Sequence, residues 1–128
     1  MQTISKILEE LNVENGSNYK LSVLKKYTDH ELLKRVLQMT MDHVKYTYGL
    51  SAKRWAKGEL AQEIWDAPGG QYSLEQALDF MEQKLSTREL TGNAAIAVMH
   101  DIFCGLSEDD TDVIYKVLNR DLRIDVVS

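Results

Sequence analysis

Apolar residues recur at helical spacing along most of this chain. Ile4, Ile7, Leu8 and Leu11 fall on one face of a segment that Thr3 can cap, which predicts a helix over 3–11. Asn15, Gly16 and Ser17 form a turn signal, and a second helix is predicted from Ser17 or Asn18 to about Tyr27, with Leu21, Val23 and Leu24 inward. Thr28 to Glu31 has the form of a capping box ahead of a third helix, whose buried side reads as Leu32, Leu33, Val36, Leu37 and Met41.

The pattern changes after Asp42. Val44, Tyr46 and Tyr48 alternate with Lys45 and Thr47 until Gly49 interrupts them, which predicts a loop with room for a brief strand. Glu59 to Trp65 suits a helical turn or two, ended by Ala67, Pro68 and the glycine pair 69–70. Helical spacing then returns. Ser73 to Gln76 is a second capping box, and Leu74, Ala77, Leu78, Met81 and Leu85 share the stripe behind it. Ala95, Ile96, Met99, Ile102 and Phe103 mark an apolar helix that Gly105 stops. Ser107 caps a last helix with Val113, Ile114, Val117 and Leu118 inward, and residues 119–125 read as its end and an extended tail. The acids Glu108, Asp109 and Asp110 suit the positive end of that helix and, being adjacent, diverge too much for a metal site.

A chain of 128 residues, 44% hydrophobic and without a Gly-, Ser- or Pro-rich linker, fits one domain with one core. The start lacks the apolar run of a signal peptide and no stretch is apolar enough to span a bilayer, so a cytoplasmic setting without membrane contact is expected, as a monomer. Cys104 reads as a small buried hydrophobe, and His30, His43 and His100 lie on separate elements without ligand spacing.

The net charge of −5 speaks against a nucleic-acid partner only if it is evenly spread. From Lys20 to Lys57, nine basic residues meet three acidic ones, so this segment is positive and the remainder strongly negative. One phosphate-facing surface and a solvated helix face account for that asymmetry equally well. Lys34 and Arg35 fall on a polar side. Lys53 and Arg54 flank Trp55, a mixture found at nucleic-acid contacts, although a Trp at the core edge is the more ordinary reading.

The stretch 86–97 organises the rest. Thr91, Gly92 and Asn93 signal a helix start, with side chains able to accept from first-turn amides, and Ala94 and Ala95 add almost no bulk. A helix start fronted by small residues lets a phosphate approach its amides, and Arg88 just before the loop adds a charge. On physical grounds alone, an ordinary cap between two helices is the default.

Five pieces in order shift that balance: Gly16 and Ser17; Asp29 with residues 31–36, ELLKRV; Leu78 to Phe80, LDF; Thr87 to Ala95, containing LTGNAA; and residues 120–122, RDL. Together they resemble the N-terminal DNA-binding domain of ATP-dependent DNA ligases, above all those of T-even-like bacteriophages, over nearly the whole chain. The resemblance implies an all-α, compact bundle of about six helices forming a single domain over 1–128. It implies sequence-independent gripping of duplex or nicked DNA at the minor groove, in replication, repair and recombination. The contacts it implies are Thr87, Arg88, Thr91, Gly92, Asn93 and Ala94, then Asn119, Arg120 and Arg123, with Lys53 and Arg54 further out. For a phage protein the setting is the host cytoplasm.

No KxDG adenylation motif and no GxxxxGK loop occurs, so no catalytic centre is expected here. ATP and Mg2+ are expected only for a nucleotidyltransferase domain, which this chain lacks along with an OB domain. The competing reading is an acidic helical module that docks a sliding clamp or other replication protein without DNA affinity of its own, which the net charge favours.

Overall fold

A computed structural model describes residues 3–14 and 16–121. Its α-helices are α1 (Ile4–Leu11), α2 (Ser17–Lys26), α3 (Glu31–Met41), α4 (Glu59–Asp66), α5 (Leu74–Phe80), α6 (Gly92–Gly105) and α7 (Glu108–Leu118). The expected all-α class holds, with seven α-helices among the described residues where about six were anticipated. A 3-10 turn covers Ala52–Trp55, and α5 runs into a single π-turn, Met81–Leu85, closed by the Ser86 amide donating to the Met81 carbonyl at 2.9 Å. The turn at Asn15 and the tail from Leu122 onward, with Arg123, lie outside the described residues.

Helix α7 is the hub. It packs on α1, α3 and α5, and α4 packs on α6. Ile7, Leu8, Val36, Leu78, Met99 and Val117 are fully enclosed, so the stripes read from the sequence for α1, α5, α6 and α7 meet in one core. Local chemistry sets several helix starts. Thr3 Oγ1 accepts from the Lys6 amide, Ser107 Oγ from the Asp110 amide, and the Ser73–Gln76 capping box is closed in both directions, at 3.1 and 2.8 Å.

Four expectations change. The cap of α3 is His30, whose Nδ1 accepts from the Leu33 amide at 3.2 Å; Thr28 instead donates to the Lys25 carbonyl. Leu21 and Met41 face outward, because α2 and α3 meet their neighbours through Val23 and through Val36 and Met39. Between 42 and 51 the loop forms without a strand; residues 43–45 make a turn that leaves Val44 93% exposed, and the alternation holds only in the non-helical run from Tyr46, with Tyr46 and Tyr48 buried and Thr47 exposed. Cys104 is only half-buried, with Sγ 3.7 Å from His100 Nε2; desolvation raises its pKa and keeps the thiol protonated.

Long-range ties fix that non-helical run. Tyr48 donates to the Met39 carbonyl at 2.5 Å, and burial pushes its phenol pKa up. Tyr46 donates to Glu82 at 3.2 Å. Trp55 is 1% exposed, with its indole N–H donating to His100 Nδ1 at 3.1 Å, so it belongs to the core and is not free to stack on a base. His100 Nε2 faces Glu63 at 3.2 Å, which ties α6 to α4.

Candidate nucleic-acid interface

The π-turn delivers the chain to Thr87 and Arg88. Thr87 Oγ1 donates to the Gln83 carbonyl at 2.7 Å, Arg88 N–H to the Leu85 carbonyl at 3.0 Å and Leu90 N–H to the Lys84 carbonyl at 2.9 Å, so the loop is tied back to the π-turn before α6 begins. Thr91 stands at the cap position in extended conformation, but its side chain does not cap. Gly92 has φ +59°, and a Cβ placed there would meet nothing within 4 Å. The start of α6 is therefore open: Thr91, Gly92, Asn93 and Ala94 are exposed, and among the described residues no side chain caps the first-turn amides.

Arg88 has φ +63°, a strained conformation for a side chain of its size. It is exposed, and among the described residues its guanidinium makes no hydrogen bond or ion pair. Its head lies against Gly49 of the non-helical run, with Cζ 3.3 Å from where a Cβ of residue 49 would sit. Gly49 had been legible only as the residue that broke the alternation; nothing in the sequence connected it with Arg88.

Arg120 is the other non-glycine with positive φ, and its setting is different. The Arg120 amide donates to the Val117 carbonyl at 3.1 Å and the Asp121 amide to the Lys116 carbonyl at 3.0 Å, the two bonds of a Schellman motif with Arg at the usual glycine position. Its guanidinium turns into the fold, donating to the carbonyls of Thr40 (3.3 Å), Met39 (3.5 Å) and Tyr46, with Cζ 4.9 Å from the Tyr48 ring centroid. The side chain expected to meet DNA is thus already occupied by the C-terminus of α3. Asn119 is exposed and lines a cavity of about 500 Å³ with Lys53, in the company of Lys116, Asp112 and Asp121. That places Asn119 and Lys53 together, in a setting of mixed charge.

The positive segment is not one surface either. Lys20 is buried and donates to the Leu11 carbonyl at 2.7 Å. Arg35 bridges Asp79 and Glu82 at 2.7 and 2.9 Å, Lys26 pairs with Glu10, and Lys34 lies 3.5 Å from Glu31. The Asp79 and Glu82 bonds outweigh burial and raise the Arg35 pKa. Lys53, Arg54, Lys57 and Arg88 are exposed and make no ion pair among the described residues. Among those residues no group of His, Cys, Asp or Glu is arranged to hold a metal ion, and no helix is long and apolar enough to cross a membrane.

These features describe an all-α fold in which the start of α6 is uncapped and fronted by small residues, with exposed cations that make no ion pair among the described residues. Over 122 residues, 94% of its length, the chain is 38% identical to the DNA ligases of Enterobacteria phage T4 and Enterobacteria phage T6, and is related to a segment of those ligases. The chain spans 23% of the length of each. No protein-family model matches it.

Proposed function

We propose that this chain is the N-terminal DNA-binding domain of an ATP-dependent DNA ligase. It grips duplex DNA around a nick without reading sequence. The observation that carries the reading is the open start of α6, with its cap position at Thr91 three residues after the strained Arg88, whose guanidinium makes no ion pair among the described residues. Both backbones are held by an amide bond to the carbonyl three residues back, but the Arg120 guanidinium is bonded within the fold whereas that of Arg88 makes no such bond among the described residues, and strained backbone of this kind clusters at ligand-binding sites. The kinship with ligases supplies the ligand class.

On this reading the amides of Gly92, Asn93 and Ala94 receive one phosphate, Arg88 and Thr91 neighbour it, and Thr87 holds the loop in place. Lys53 and Arg54 meet the duplex further out, while Arg120 acts through the fold. ATP and Mg2+ serve the adenylation chemistry of a nucleotidyltransferase domain, since the chain contains no KxDG lysine. Replication, repair and recombination are the settings in which such a ligase seals nicks.

Fluorescence anisotropy of nicked and intact duplexes at low and physiological salt tests the proposal. Salt-sensitive binding with little sequence preference is expected, and Arg88→Ala should lower the slope of log K against log salt by about one unit. Absence of binding at low salt overturns it.

A further inference from the structure

We propose that the groove between α4 and α7 docks a cationic, partly apolar segment of another protein. The groove encloses about 590 Å³, within the range of ligand-binding clefts. Ile64 and Leu106 supply apolar floor, Tyr115 anchors one side by donating to the Trp55 carbonyl at 2.8 Å, and the Trp65 indole stands at the rim 75% exposed. The wall formed by residues 67–69 packs closely on the start of α7: Gly69 has φ +69°, and a Cβ there would come within 2.6 Å of the Leu106 carbonyl oxygen.

Charge selects the occupant. Glu9, Glu108, Asp109 and Asp112 line the groove, and among the described lining residues there is no Lys, Arg or His. Asp112 is neutralised by Lys116 at 2.8 Å and Glu9 has Lys6 only at 3.9 Å, while Glu108 and Asp109 make no ion pair among the described residues. Such a rim repels a phosphodiester backbone and attracts ammonium and guanidinium groups. A Lys or Arg side chain lays its aliphatic stem on apolar surface and its head over an indole face, which the exposed Trp65 offers. An adjacent aliphatic residue of the same segment fills the floor at Ile64 and Leu106. The groove therefore fits a stretch in which Lys or Arg is interspersed with Leu or Ile, and the strongly negative part of the chain acquires a role that DNA contact does not give it.

The test is titration of the isotope-labelled chain with a short synthetic peptide interspersing Lys, Arg and Leu, followed by amide and indole NMR shifts. Two control peptides replace Lys and Arg by Glu, or Leu by Gly. Saturable shifts confined to the groove are expected, with both controls much weaker. Trp65→Ala, at an exposed position, should leave thermal stability unchanged and lower affinity about tenfold, as loss of an aromatic anchor does. Asp109→Asn should weaken binding and reduce its salt dependence. The proposal is overturned by shifts that do not saturate, by a Leu-to-Gly control that binds equally, or by an inert Trp65→Ala. It is also overturned if duplex DNA shifts the groove residues, or if sedimentation reveals a dimer that Trp65→Ala abolishes, which would assign the groove to a second copy.

Discussion

The guanidinium of Arg88 occupies the space where a side chain at residue 49 would begin. Gly49 has φ +68°, so a side chain there would meet both a strained backbone and the head of Arg88. Gly49→Ala should therefore displace Arg88 and cost about 1–2 kcal/mol of stability from the backbone conformation. Its loss of duplex affinity should match that of Arg88→Ala, and the double variant should lose no more than Arg88→Ala alone. Anisotropy titrations on the four proteins of this cycle read the coupling, and additive losses would separate the two residues.

Arg120 combines an unfavourable backbone conformation with three carbonyl contacts, so its substitutions separate the two effects. Arg120→Ala should cost roughly 1.5–3 kcal/mol from lost bonds to a charged group. Arg120→Gly should be less damaging than Arg120→Ala, because glycine adopts the left-handed conformation without strain. Arg120→Lys should not restore stability, since one ammonium cannot span the Met39, Thr40 and Tyr46 carbonyls as a planar fork does. Urea denaturation of the three variants checks the order.

Leu78 is fully buried where α5 packs on α7. Leu78→Ala should destabilise the fold by about 2–5 kcal/mol through lost transfer energy and the cavity left behind. Thermal melting measures this, and an unchanged midpoint would contradict its inward placement.

Glu10 joins α1 to α2, accepting from Lys26 and, at 2.6 Å, from the Tyr27 hydroxyl. The Lys26 bond, followed by that of Tyr27, holds the Glu10 pKa below its ordinary 4.5. A carboxyl depressed on folding stabilises the fold fully above its unfolded pKa, and that contribution is lost as pH falls through the folded pKa. Stability should thus decline below about pH 4.5, and Glu10→Gln should flatten this part of the acid limb. Denaturant titrations of both proteins between pH 3 and 6, roughly the span over which a carboxyl titrates, give the comparison.

Most helices could be read from sequence because their causes are local. The apolar spacing of α1, α5 and α7 and the caps at Thr3, Ser73 and Ser107 involve residues within one or two turns of each other, and the structure places each as read. The small residues at 92–95 likewise announced an open helix start, although Thr91 was expected to cap it and does not.

Short-range periodicity and side-chain size were enough to specify the all-α class, the apolar stripes of α1, α5, α6 and α7 and the largely exposed 87–94 turn. The fate of the charges and the tryptophans depends instead on how distant segments pack. Lys20 and Lys34 both sit on helices in the positive segment, yet one is sealed against the Leu11 carbonyl and the other is exposed. Trp55 is enclosed by Phe103 and His100, whereas Trp65, ten positions later, stands in solvent. Arg35 and Arg120 found acceptors tens of residues away, at Glu82 and at Thr40. Periodicity specifies that a helix has an apolar face. Which polar group that face covers, and which charge is left for a partner, is settled only when distant segments pack and exclude water.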